Sequence, residues 1–140
     1  MNIITGRAAG AVALTMALAA ATMAVTTVSA QAAVGVPQVV EGDSGFAVYC
    51  VQEAADYMLD DPNYYAAPDG SFGSQTLRVV ERFQEQNGLD QDGQVGPLTG
   101  TAVWHWTQNL IGHIEAGGGS IQTRWGVPLT NCYQVIPTTS

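Results

Sequence analysis

The chain has 140 residues, 46% hydrophobic and 11% charged, with twelve acids, four arginines, no lysine and a formal net charge of −8. That length supports one small domain and argues against a two-domain enzyme. The acidic balance argues against nucleic acid and anionic membrane as partners, because such a surface repels phosphate groups.

The apolar residues are unevenly spread, with 21 of them in residues 1–32. The remainder of the chain falls to about 40%, an ordinary value for a globular domain. Arg7 precedes a run of small apolar residues from Ala8 to Val28, which closes on Ser29-Ala30-Gln31-Ala32-Ala33. This pattern predicts a secretory signal over residues 1–32, cut after Ala30 or Ala32. A membrane anchor fits less well, because Thr15, Thr22, Thr26 and Thr27 interrupt the run and no cationic stop follows it. Loss of Arg7 would take the net charge to about −9, with a short linker at residues 33–38 leading into the domain.

A turn and cap at Glu41-Gly42-Asp43-Ser44-Gly45 precede Val48, Val51, Ala55, Met58 and Leu59 at helical spacing, which predicts a first helix of about four turns. A connection follows, Asp60-Asp61-Pro62-Asn63-Tyr64-Tyr65-Ala66-Ala67-Pro68. Then a pattern, D-G-x-[FV]-G-x-x-T, occurs twice, as Asp69-Gly70-Ser71-Phe72-Gly73-Ser74-Gln75-Thr76 and as Asp92-Gly93-Gln94-Val95-Gly96-Pro97-Leu98-Thr99. Asp-Gly predicts a tight turn with a left-handed glycine, Phe72 and Val95 are expected in the core, and the second glycine is expected where a helix packs closely. Pro97 fixes the phase: Gly96 is the N-cap and Thr99 the third helical residue, and by the repeat Gly73 and Thr76 take the same parts.

The second helix carries Val79, Val80 and Phe83 on its apolar side, places Arg78, Glu81, Arg82 and Glu85 mainly outside, and ends at Asn87-Gly88 with Leu89 returning to the core. On the third helix, Thr99, Val103, Trp106 and Leu110 fall within about 60° of one another at 100° per residue. Trp106 is therefore expected in the core and Trp104 on the outer side. The remaining tail holds a Gly117-Gly118-Gly119 break, Trp125 and Cys132. Cys50 and Cys132 are the only cysteines, and in an exported protein such a pair is expected to form a bridge that fastens the tail to the first helix.

Read together, these blocks resemble the peptidoglycan-binding domain of secreted bacterial cell-wall proteins. The matching positions are Gly42 and Gly45, Val48, Val51-Gln52, Asp69 to Thr76, Val79-Val80, Phe83-Gln84, Gly88-Leu89 and Asp92 to Thr99. The resemblance covers about residues 39–106 and implies an all-α three-helix bundle, here over residues 39–110, with residues 111–140 as an extension tethered through Cys132. It departs from the family pattern in Val51 for a leucine, Val79 for an alanine, the long first connection and the tail.

The resemblance implies a secreted, cell-wall-associated, monomeric module that binds peptidoglycan without catalysis or cofactor, and that has no membrane contact after signal removal. Alternatives are a small wall hydrolase, an accessory subunit of one, and a protein-interaction or inhibitor role on the same fold. His105 and His113 do not share the i, i+4 spacing of a zinc pair, and acid pairs such as Asp60-Asp61 arise by chance among twelve acids. Glycan sites combine aromatic faces with directional hydrogen bonds, which makes Tyr64, Tyr65, Trp104 and Trp125 the candidate ligand contacts. Asp69, Gly70, Phe72, Gly73, Thr76, Asp92, Gly93, Val95, Gly96 and Thr99 read as structural motif residues.

Overall fold

The computed structural model describes residues 35–139. The expected export signal over residues 1–32 lies outside them.

Three helices organise the chain: α1 (Phe46–Leu59), α2 (Ser74–Gln86) and α3 (Pro97–Ala116). Two 3-10 segments accompany them, Pro62–Tyr64 in the first connection and Leu129–Gln134 in the tail. Among the described residues there is no strand, only isolated bridges pairing Val39 with Val95, Ser44 with Ser71 and Gln122 with Pro128. The architecture is thus the all-α three-helix bundle expected from the sequence.

Helix starts follow the repeat. Gly73 and Gly96 are the N-caps, Pro97 is the first residue of α3, and Thr76 and Thr99 stand third in their helices. At the end of α2, Gly88 turns left-handed at φ 68°, and Leu89 N–H donates to the Gln84 carbonyl at 2.9 Å. That arrangement satisfies carbonyls the helix leaves open.

α1 lies against α2, α3 and the tail. Val48, Val51, Ala54 and Ala55 of α1 meet Val79, Val80 and Phe83 of α2 and Val103 of α3, all essentially inaccessible to solvent. Phe72 and Val95, the apolar residues of the two turns, are 2% and 0% exposed and close the core from the loop side. Burial of each such side chain stabilises the fold by roughly 1.5–3 kcal/mol.

The third helix departs from expectation in two ways. It runs six residues past Leu110, to Ala116, with Ile111 and Ile114 packed against the core, so a domain edge at residue 110 falls inside a helix. Trp106 is only partly buried: its ring meets Tyr57 edge-on at 6.5 Å, and its Nε1–H donates to Asn87 Oδ1 at 3.2 Å. The small Thr107, 1% exposed and bonded to the Val103 carbonyl, takes the deep position instead. The indole lies at the margin of the core, where its N–H finds an acceptor. Trp104 is not on a free outer face, because the tail returns over it and sets Tyr133 at 5.7 Å from its ring.

The tail contributes to the core. Leu129, Cys132 and Ile136 are buried, and Cys50 is joined to Cys132 with their Cα atoms 5.7 Å apart. Gly100 of α3 admits this return: a β-carbon there would overlap the Pro137 carbonyl oxygen. Thr101 then holds the end, its hydroxyl accepting the Thr139 N–H at 2.9 Å.

Candidate functional site

The duplicated motif is built round two buried glutamines. Gln52 of α1 and Gln84 of α2 are each 1% exposed. Gln52 Nε2 donates toward Asp69 Oδ1 (3.1 Å), the Ser71 carbonyl (3.2 Å) and Thr76 Oγ1 (3.0 Å), while its Oε1 accepts the Gly70 N–H at 2.9 Å. Gln84 repeats the set with Asp92 Oδ1 (2.8 Å), the Gln94 carbonyl (3.0 Å), Thr99 Oγ1 (3.1 Å) and the Gly93 N–H (2.9 Å). Each aspartate also accepts the N–H two residues on, from Ser71 or Gln94, as an Asx turn does. Those bonds, the Ser71 amide first and Gln52 second, hold the Asp69 carboxyl below its usual range. The motif's Asp, Gly and Thr are thus three partners of one amide from the preceding helix, and buried polar groups that are fully paired fix a unique geometry.

The closest packing falls on the first glycine of each motif; of the second glycines, Gly73 is open, while a β-carbon at Gly96 would stand 3.1 Å from the Gln38 side-chain amide. Gly73 and Gly96 have extended backbone. By contrast, Gly70 and Gly93 are left-handed at φ 76° and 68° and lie under a side chain. Gly93 is covered by Leu77, seven residues before Gln84. At the corresponding place before Gln52 stands Gly45, which has no side chain, and the Trp125 ring from the tail covers Gly70 instead, 2.5 Å from where a β-carbon would be.

The four candidate aromatics do not form one cluster. Trp125 is 43% exposed and tilts against Tyr49 at 6.1 Å, next to Phe46 stacked on that tyrosine. Burial, then the hydrogen bond to Glu53, push the Tyr49 hydroxyl well above the ordinary tyrosine range. Trp104 lies under the tail as described. Only Tyr64 and Tyr65 are adjacent, at the C-terminal end of the Pro62–Tyr64 segment that Asp61 caps through the Asn63 N–H. Tyr65 is 51% exposed, and its carbonyl is held by Gln75 Nε2 at 2.6 Å.

Tyr64 is shared by two grooves. One, of about 340 Å³, runs along the outer side of α2 and is lined by Asn63, Tyr64, Arg78, Arg82, Glu85 and Gln91, with Glu81 at its wall. Arg78 and Arg82 lie on the outer face of α2, as expected, and Tyr64 of the first connection shares the groove with both. The Arg82 guanidinium stands 5.2 Å from the centre of the Tyr64 ring and bonds Glu85 at 2.5 Å, and Glu85 raises its pKa further. The other groove, about 440 Å³, is lined by Asp56, Asp60, Asp61, Pro62, Tyr64 and Tyr65. Asp56 Oδ1 accepts the Ala66 N–H at 3.0 Å, its Oδ2 is buried without a partner, and burial pushes its pKa up to about 6.

Among the described residues no group of three or more His, Cys, Asp or Glu could hold a metal ion, and no helix is long and apolar enough to cross a membrane. His105 lies exposed beside Asn109, and His113 tilts against the Tyr57 ring at 6.0 Å.

Residues 54–103 match the family described as putative peptidoglycan binding domain. The match runs from the second half of α1 through both Asp-Gly turns into the start of α3. An uncharacterised protein from the bpoA1 3′ region of Kitasatospora aureofaciens is 43% identical over 65 residues, or 45% of this chain. The chain spans about half, 52%, of that curated relative's length. The N-terminal domain of SleB, a crystal structure, aligns at 30% identity with a TM-score of 0.46, covering 52% of this chain and 96% of that one.

Proposed function

We propose that this chain, whose residues 54–103 match the peptidoglycan-binding family, is a secreted, monomeric, non-catalytic module that binds bacterial cell-wall peptidoglycan and needs no cofactor. The family match over both Asp-Gly turns carries this reading. The duplicated glutamine network supplies a rigid frame, and the surface it supports beside α2 offers what a wall polymer needs: the Tyr64 and Tyr65 rings next to fixed polar groups. Rings take the apolar faces of sugars or peptide side chains, and the polar groups set orientation.

Sedimentation with insoluble peptidoglycan tests it. The disulfide-bonded protein is expected in the pellet, with saturable binding that persists in moderate salt, because a surface with so strong an acidic excess does not rely on bulk electrostatic capture. Protein that stays wholly in the supernatant would refute the reading. Clearing of wall turbidity by the protein alone would refute its non-catalytic part.

A further inference from the structure

We propose that the groove between Tyr64 and the outer side of α2 recognises a free carboxylate of the wall's peptide, with Arg78 and Arg82 as the carboxylate ligands. This rests on the wall-binding reading and names the part of the polymer that the site takes. Three arginines lie in the described residues of a chain with twelve acids, and two of them stand four residues apart on α2 in this one groove. A guanidinium matches a carboxylate with two parallel N–H bonds, a geometry a lysine cannot offer.

The two arginines are prepared differently. Arg82 is held in place by the Tyr64 ring and by Glu85, which bonds its Nη1 alone, so the guanidinium keeps N–H groups that Glu85 does not take. Arg78 is exposed, and among the described residues it forms no side-chain hydrogen bond or ion pair. The groove, about 340 Å³, is at the small end of ligand sites and suits a peptide end rather than a polymer chain. A neutral sugar would cover the Arg78 charge without neutralising it, which costs free energy. Glu81 and Glu85 keep the groove near neutral, so polyanions gain nothing there while a single well-oriented carboxylate does.

The experiment is titration of the disulfide-bonded full chain, followed by calorimetry and by ¹⁵N NMR, with three probes: a synthetic wall stem tetrapeptide, the same peptide with its carboxylates amidated, and the peptide-free glycan disaccharide. Sedimentation with insoluble peptidoglycan runs in parallel. The free-acid peptide is expected to bind saturably and to shift the side-chain ¹⁵N resonances of Arg78 and Arg82. Amidation is expected to weaken it at least tenfold, the disaccharide not to shift those resonances, and Arg78→Gln and Arg82→Gln each to weaken the peptide severalfold with unchanged helical content. Equal affinity for acid and amide, or full affinity in Arg78→Gln, would overturn the groove assignment while leaving wall binding intact if the protein still sediments. A protein that does not sediment removes the wall-binding reading and this assignment with it. Should Arg82→Gln fail to fold, Arg78→Gln decides alone, because that side chain makes no hydrogen bond or ion pair among the described residues.

Discussion

Gln84→Leu tests the frame on which the functional surface stands. Leucine keeps most of the volume and removes four hydrogen bonds, those to Asp92, the Gln94 carbonyl, Thr99 and the Gly93 N–H. At about 1 kcal/mol net per bond, with a buried Gly93 N–H left unpaired and some apolar gain from leucine, the loss comes to about 3–5 kcal/mol. Asp92 is exposed and regains water, so it adds little. A domain of this size has about 5–15 kcal/mol in total, so the variant still folds but melts roughly 15–30 °C lower. Urea unfolding followed by circular dichroism measures it, with Thr99→Val expected to cost about 1 kcal/mol alone and almost nothing in the Gln84→Leu background. A loss under about 1 kcal/mol for Gln84→Leu, or full additivity with Thr99→Val, would refute the glutamine as the organising centre.

Other consequences follow from neighbouring contacts. Replacing Cys50 and Cys132 by alanine opens a cross-link between residues 82 apart, which the chain-entropy model values at up to about 4.5 kcal/mol; denaturant melts of the oxidised protein and the double variant compare them. Trp125→Ala is expected to cost about 1–3 kcal/mol by uncovering Gly70, and to leave wall binding within about twofold; strong loss of binding with unchanged stability would make Trp125 a ligand contact instead. Stability should also depend on pH in two opposed windows. Asp56, raised from 3.8 to about 6, favours the folded state most at low pH and loses that advantage as pH rises from about 4 to about 6, because the unfolded chain ionises there more readily. Asp69, held below its usual range, contributes above its unfolded pKa and loses that contribution as pH falls through its folded value. Melting temperature is therefore expected to peak in mild acid, and Asp56→Asn to flatten the decline between pH 4 and 6; an unchanged decline would assign it to other groups.

The elements most legible in the sequence were those specified locally. Pro97, the Asp-Gly pairs and Asn87-Gly88 act within a few residues of themselves, so helix starts and ends could be placed from them. Gln52 and Gln84 were visible beside core residues Val51 and Phe83, but their role was not, because it exists only once a turn downstream folds back onto the helix, 17 to 24 residues on for Gln52 and 8 to 15 for Gln84. The same reason hid the true use of Gly70 and Gly93, whose neighbours Trp125 and Leu77 come from other elements. Trp106 and Trp104 misled because a helical wheel assigns direction without size and cannot know that the tail will cover one side. The tail has no periodicity to read, and its path depends on Gly100 and the Cys50 bridge. The α2 groove was half legible: its charges lie on one helix face, while its aromatic wall comes from the first connection.

Chemical-shift mapping of the disulfide-bonded protein with soluble, defined muropeptides tests the central claim most directly, because it reports binding and location together. Saturable shifts concentrated on Pro62 to Tyr65 and on the outer side of α2 from Arg78 to Glu85 are the expected result. No saturable shift at millimolar muropeptide, or shifts confined to the opposite side of the bundle, would contradict it.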